Sequence, residues 1–329
     1  MKLTTEQIKS ILTGAIRFEE SELGLCPRRF NERQPLPYCE RYALHTRASA
    51  GVRLSFITDS SSFEMTYFAR TVSSQYFCYF DVFLDGKEVM HFGHDNVTEV
   101  ASTLHLDLPE GEHTVTVYFP NLFETVIRSV SLDDGASLAP AKRPLRYFAF
   151  GDSITQGYIC ERASLSYANQ IADKLNAEIT NFGIGGDVFS PHLIDFDADV
   201  ADPDIITVAY GTNDWNKTTR ERTLEKSHEF YARLRERFPH AKIFAITPIW
   251  RADTDRVTDV GALPDSITDI VTAAASAQQG ITVIRGWELV PHIPDLFYDL
   301  YLHPNDMGFR CYADALFEKM TPYLNEIKK

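Results

Sequence analysis

The sequence has no run of about 18 apolar residues, which excludes a membrane-spanning helix. It is poor in positive charge: Lys+Arg is 32 against Asp+Glu 46, a formal net charge of −14 over 329 residues. A chain this acidic offers no general basic face to phosphate, so nucleic acid is excluded as a general partner. Cysteine is scarce and odd in number: Cys26, Cys39, Cys78, Cys160 and Cys311 are scattered, and no pair has C-x-x-C or zinc-ribbon spacing. They read as reduced, buried thiols of a cytoplasmic protein. The N-terminus lacks the apolar core and small-residue cleavage site of a signal peptide. Instead, Thr4 and Gln7 read as a capping box, with Ile8, Ile11 and Leu12 as the apolar side of a short helix. A hydrophobic fraction of 44% and a charged fraction of 24% rule out global disorder.

What is present falls into two halves. From about residue 15 to 135 the period is two: Val52, Leu54 and Phe56, then Phe63, Met65 and Tyr67, alternate with polar neighbours. Phe80, Val82 and Leu84 lead into Asp85-Gly86, a hairpin turn with Val89 on the return strand. Leu104, Leu106 and Leu108, then Val115, Val117 and Phe119, flank the turn Pro109-Glu110-Gly111. Short alternating strands with frequent turns predict a two-sheet, jelly-roll-like β-sandwich over residues 1–140. The stretch from Asp133 to Pro144, with its small residues and two prolines, reads as a linker or domain boundary.

Beyond it, residues 145–329 form the second expected domain. Short apolar runs (Arg146 to Phe150, Ile179 to Phe182, Ile205 to Tyr210, Lys242 to Ile249, Ile281 to Ile284) alternate with helix-spaced sets. These sets are Tyr167, Ile171 and Leu175; Leu224, Tyr231, Leu234 and Phe238; Ile267, Ile270, Val271 and Ala274; and Tyr312, Leu316 and Met320. Alternating strand and helix predicts an α/β domain, a parallel sheet with helices on both faces.

In such a sheet functional groups gather at the carboxyl ends of the strands. There the sequence reads Gly151-Asp152-Ser153, Gly183-Ile184-Gly185-Gly186, Gly211-Thr212-Asn213-Asp214 and, before the last helix, Asp299 to Asp306. A serine at a strand-to-helix turn exposes a hydroxyl beside a helix N-terminus. That hydroxyl needs a base, and His303 sits on the same face. The backbone N–H groups of Ser153 and Gly186 and the Asn213 amide are the candidate donors to a tetrahedral oxyanion. Each piece also reads as ordinary structure: a turn at Gly151-Asp152-Ser153, a tight turn at Gly183 to Gly186, a helix cap at Asn213, a turn residue at His303. The glycines do not fit G-x-G-x-x-G, which disfavours a dinucleotide site.

GDSITQG, NFGIGGD, YGTND and LHPNDMGF, in this order over residues 145 to 325, resemble the four motif blocks of the SGNH (GDSL) hydrolase superfamily. The resemblance implies a flavodoxin-like three-layer α/β/α domain and ester hydrolysis with neither metal nor cofactor. It implies Ser153 as nucleophile, Gly186 and Asn213 as oxyanion donors and His303 as base. One position departs from the family. The acid that usually precedes the histidine by three residues is replaced by Leu300, and Asp299 lies four before His303. Either a loop bulge lets Asp299 orient the imidazole, or a backbone carbonyl does so; Asp295 is a weaker acid candidate.

Trp215, Trp250 and Arg251 are candidate substrate-binding residues, an aromatic and a guanidinium suited to a polar or sugar-like alcohol, with a core or interface role as the alternative for the tryptophans. Tyr158 and Asp187 flank the motif blocks, and His292 reads as a surface residue. The sandwich followed by such a domain is similar to the layout of family 2 carbohydrate esterases, which implies a small acetylated saccharide as substrate. Without a signal peptide, the expectation is a cytoplasmic enzyme acting on imported saccharides, and its size and acidity are compatible with a homodimer. The alternatives are a short-chain lipase-like hydrolase, thioesterase or acyltransferase, and a carbohydrate-binding protein with a degenerate hydrolase domain.

Overall fold

The computed structural model describes residues 1–31, 34 and 40–324. Helix α1 (Thr5–Ile11) starts at the expected capping box: the Gln7 N–H donates to Thr4 Oγ1 (3.3 Å) and the Thr4 N–H to Gln7 Oε1 (2.9 Å). Its apolar side, Ile8 and Ile11, is buried.

The strands that follow are β1 (Leu12–Thr13), β2 (Arg17–Ser21), β3 (Gly24–Arg28), β4 (Arg53–Thr58), β5 (Ser62–Thr71), β6 (Cys78–Leu84), β7 (Lys87–His94), β8 (Glu99–Asp107), β9 (His113–Tyr118), β10 (Phe123–Leu132) and β11 (Ala139–Pro140). One antiparallel sheet has the order β1-β4-β9-β6-β7, with β11 on β4; the other is β2-β3-β10-β5-β8. The period-two residues fill the space between them: Leu54, Phe56, Phe63, Met65, Tyr67, Phe80, Val82, Leu104, Val115 and Val117 share one core. The turn at Asp85-Gly86 joins β6 to β7, with both residues at positive φ (48° and 78°), as a tight hairpin requires. The segment expected as a linker is tied down. Asp133 accepts from the Ser61 N–H (2.7 Å) and the Ser62 hydroxyl (2.8 Å), and β11 pairs with β4. Cys26, Cys78 and Cys160 are free and buried, and Cys311 is free and partly exposed; Cys39 lies outside the described residues.

The remaining elements are β12 (Leu145–Gly151), α2 (Ser153–Gln156), α3 (Tyr167–Leu175), β13 (Ala177–Gly183), β14 (Ile205–Ala209), α4 (Thr212–Lys217), α5 (Arg220–Arg237), β15 (Lys242–Ile246), β16 (Val257–Thr258), β17 (Gly261–Ala262), α6 (Asp265–Ser276), β18 (Ile281–Ile284) and α7 (Asp306–Leu324). The parallel sheet runs β13-β12-β14-β15-β18, the flavodoxin-like strand order. Alternation along each strand splits its side chains between two cores. Phe148, Phe150, Ile206 and Val208 face α5 and α6, whereas Tyr147, Ala149 and Ile205 face α3 and α7. This is the expected three-layer α/β/α arrangement. One helix-face assignment differs: Leu224 lies 36% exposed, while Phe230, Tyr231 and Leu234 supply the buried side of α5.

The two halves interlock through buried polar groups. The Arg29 side chain is wholly buried and donates to the carbonyls of Ala48 (2.6 Å), His45 (2.8 Å), Asn181 (2.5 Å) and Gly183 (3.0 Å). Desolvation pushes its guanidinium down to about 9. Arg53, also buried, reaches Asp173 (3.3 Å) and Glu178 (3.2 Å) across the same boundary.

Candidate active site

Strand β12 is the centre of the site because its neighbours β13 and β14 place the other loops on either side. At its carboxyl end the Asp152 carboxylate caps α2, accepting the Ile154 N–H (2.9 Å), and so fixes the turn that presents Ser153. Burial pushes the Asp152 carboxyl up to about 6. Ser153 Oγ lies 3.0 Å from His303 Nε2, and His303 Nδ1 lies 2.7 Å from Asp299 Oδ2. A carboxylate against Nδ1 holds the proton there and leaves Nε2 as the acceptor for the serine hydroxyl.

The extra residue between acid and histidine is absorbed by the backbone. Leu300 takes a left-handed conformation (φ 57°), and its N–H donates to the Phe297 carbonyl (3.0 Å). The loop thereby curls around the Asp299 side chain, whose Oδ1 accepts the N–H groups of Tyr301 (3.0 Å), Leu302 (2.7 Å) and His303 (3.1 Å). Partial burial raises the Asp299 pKa, but the hydrogen bonds from the His303 ring and from the Leu302 and His303 amides outweigh it and hold the carboxyl well below the usual range. Asp295, the other acid considered, sits on a 3-10 turn where its carbonyl accepts from Asn305 Nδ2 (2.7 Å).

Gly186 follows β13 and Asn213 begins α4 after β14. Gly186 has φ 82°, and a Cβ there would come within 2.5 Å of the Tyr42 ring, so glycine is required by backbone and by space. Among the described residues, neither the Ser153 nor the Gly186 N–H donates to another protein group. Asn213 Nδ2 donates one hydrogen to the Asp187 carbonyl (2.9 Å), which fixes the amide plane and leaves the second N–H.

The expected binding residues fare differently. Trp215 is wholly buried, with Nε1 donating to the Gly261 carbonyl (2.8 Å), so it is a core residue rather than a ligand platform. Arg251 is buried as well. It pairs with Asp253 (2.6 Å), lies over the Trp215 ring (4.6 Å) and donates to Tyr301 Oη, which makes it a brace for the loop carrying Asp299 and His303. The sequence placed both beside the strand ends, but their side chains turn inward because Asp253 and Gly261 supply partners there. Trp250 is partly exposed and stacks on His292 (5.4 Å between ring centres).

Tyr42, His45 and Lys217 came to the site without a sequence signal, and Tyr158, noted beside the first motif block, has partners the sequence does not show. Tyr42 and His45, on a 3-10 helix over Glu40–Arg47, cover the loop after β13: His45 Nδ1 lies 2.9 Å from the Gly185 carbonyl. Lys217 Nζ donates to the Gly186 carbonyl (3.2 Å). Tyr158 packs edge-on against the His303 ring (4.6 Å), and its hydroxyl meets Ser74 Oγ (2.6 Å) from the N-terminal half. Partners 31 or more residues apart have no spacing rule to reveal them. A cleft of about 260 Å3 opens beside Tyr158 and Tyr298. A larger cavity of about 390 Å3 lies near the amino ends of β12 and β13, at Arg146 and Glu178, away from the serine. One group among the described residues has metal-ligand spacing, Asp81, Glu88 and His91. There Asp81 and His91 already pair (2.7 Å), and Glu88 pairs with Arg162.

No described helix is long and apolar enough to cross a membrane. No curated protein sequence matches the chain significantly. Three solved structures share its fold over nearly the whole length. The salicylyl-acyltransferase SsfX3 from a tetracycline biosynthetic pathway is 21% identical, covers 96% of both chains and has a TM-score of 0.81. A family two carbohydrate esterase from Clostridium thermocellum in complex with cellohexaose is 17% identical, covering 95% of this chain and 99% of that one (TM-score 0.69). A family two carbohydrate esterase from Cellvibrio japonicus is 16% identical over 98% of both chains (TM-score 0.70). Residues 149–311 match the model of the GDSL-like Lipase/Acylhydrolase family. Those residues, the part of the chain that carries Ser153, Asp299 and His303, form a GDSL-like lipase/acylhydrolase domain, and the protein is an ester hydrolase.

Proposed function

We propose that the protein is a serine esterase that removes acetyl groups from O-acetylated sugars or oligosaccharides. The observation that carries the chemistry is the hydrogen-bonded chain from Ser153 Oγ through the His303 ring to Asp299. Ser153 Oγ attacks the ester carbonyl carbon while its proton passes to His303 Nε2. The oxyanion accepts hydrogen bonds from the Ser153 and Gly186 N–H groups and from Asn213 Nδ2. Collapse breaks the bond to the alcohol oxygen, which takes the proton from Nε2. Water then attacks the acyl-enzyme with His303 as base, and acetate leaves from a regenerated serine.

The sugar alcohol is supported by architecture: the family two carbohydrate esterases share the N-terminal sheets as well as the catalytic half. On this reading residues 1–140 form a domain that walls one side of the cleft of the catalytic domain, residues 145–329. A chain-length series of 4-nitrophenyl esters tests the acyl group, and activity confined to acetate is expected. A maximum at longer chains favours a lipase-like or thioesterase activity instead. Acetylated xylo-oligosaccharides are expected to turn over faster than polymeric acetylxylan.

A second reading is acyl transfer, favoured by the likeness to the salicylyl-acyltransferase. The acyl-enzyme is the same, and an alcohol in place of water takes the acyl group. Product analysis with added free sugar distinguishes them: acetate alone means hydrolysis, a transferred ester means transfer.

A further inference from the structure

We propose that the cleft walled by Tyr76, Phe77, Asp95, Asn96, Tyr158 and Tyr298 is the subsite for the alcohol part of the ester and takes a single pyranose ring. The proposal rests on the acetyl-sugar reading above. Position is the first argument. The leaving alkoxide receives its proton from His303, so the alcohol lies on the imidazole side of Ser153. The cleft is on that side: Tyr158 packs against the His303 ring (4.6 Å), the Tyr298 N–H donates to the His303 carbonyl (2.8 Å), and the Tyr158 N–H donates to the Ser153 carbonyl (2.8 Å).

Chemistry is the second argument. Tyr76 and Tyr298 are 55% and 61% exposed, two large rings left at the surface of the cleft. Such rings stack on the apolar C–H face of a sugar. Asp95 accepts and Asn96 both accepts and donates, the combination that vicinal hydroxyls require. The volume, about 260 Å3, is below the roughly 300–1,000 Å3 of pockets for drug-sized ligands and suits one ring.

Construction is the third. The rim is held rather than loose. Asn96 takes a left-handed turn (φ 56°) between β7 and β8, and the Val97 N–H donates to the Tyr76 carbonyl (2.8 Å), joining the two N-terminal loops. Ser74 Oγ meets Tyr158 Oη (2.6 Å), joining those loops to the catalytic half. Six of the nine lining residues therefore come from the N-terminal half, which sets the choice of alcohol while the C-terminal half performs the acyl chemistry.

The test compares acetylated methyl β-D-xylopyranoside with ethyl acetate, whose alcohol is too small to fill the cleft. Asp95→Ala and Tyr298→Ala change exposed side chains, and melting curves check that both variants fold. The expected result is a fall of at least about 10-fold in the ratio of kcat/KM for the sugar ester over that for ethyl acetate, mainly through KM. Competitive inhibition of ethyl acetate hydrolysis by methyl β-D-xylopyranoside should weaken by a similar factor. A ratio and an inhibition constant within about twofold of wild type in both variants overturn the subsite while the sugar esterase stands. A wild type that hydrolyses ethyl acetate but neither turns over the sugar ester nor is inhibited by the sugar overturns the acetyl-sugar reading and the subsite with it.

Discussion

Replacing Asp299 with asparagine should lower kcat for 4-nitrophenyl acetate by about 10^4-fold, with little change in KM. The side chain serves two sets of donors: Oδ1 takes three backbone N–H groups of its own loop, and Oδ2 takes His303 Nδ1 at 2.7 Å. Asparagine keeps one oxygen, which the three amides claim, and turns an NH2 group toward the imidazole. Two donors then face each other. The ring is driven to the tautomer with its proton on Nε2, where it can no longer accept from Ser153. Loss of a triad carboxylate in this manner costs about 10^4 in kcat, equivalent to roughly 5 kcal/mol of barrier. The assay is initial-rate hydrolysis at pH 8, with a melting curve to show that the loop still folds. A variant within about 10-fold of wild type, at unchanged stability, refutes the reasoning and means that another group orients His303. The sign of the pKa shift adds a condition. A carboxyl held below its ordinary value of 3.8 contributes stability that is present above that value and lost only as the pH falls through its lower, folded value. Rate losses between about pH 4.5 and 8 therefore do not arise from protonation of Asp299.

Three further outcomes are expected. Gly186→Ala should lose about 10^2 to 10^3 in kcat, because the Cβ collides with the Tyr42 ring and a φ of 82° strains any other residue; rates near wild type would remove Gly186 from the oxyanion site. Leu300→Gly should keep activity and gain up to about 1 kcal/mol of stability by relieving the left-handed strain, whereas Leu300→Pro should abolish activity, since proline can neither adopt φ 57° nor supply the N–H to Phe297; equal behaviour in urea melts and rates would refute the loop argument. Buried Asp214, pushed up to about 7 by desolvation, favours its neutral form when folded, so stability is full below pH 3.8 and falls as the pH rises toward 7, by up to roughly 4 kcal/mol. Asp214→Asn should flatten the difference between urea midpoints at pH 5 and 8, leaving the smaller contribution of Asp152, and an unchanged difference would show that Asp214 is not its source.

Local rules carried much of the architecture. Period-two alternation marked β4, β5, β6, β8 and β9 because one face of each strand must enter the sandwich core. The apolar run from Ile205 to Tyr210 marked a central parallel strand because both of its faces are covered by helices. The same rules erred at Leu224, where helical spacing alone does not say which side meets the sheet, and at Trp215 and Arg251, where residue type suggested a ligand but inward-facing partners decided.

The sequence by itself determined which residues can perform chemistry and at which strand ends they emerge, since order along the chain and the parallel topology together put Ser153, Gly186, Asn213 and His303 on one edge. Only the tertiary structure decided that Asp299 reaches the imidazole, because that depends on a single left-handed residue and three amides curling the loop. It alone also revealed Tyr42, His45 and Ser74 beside the catalytic half, since contacts across more than 80 residues of chain are set by how two cores pack together, and no local periodicity encodes them.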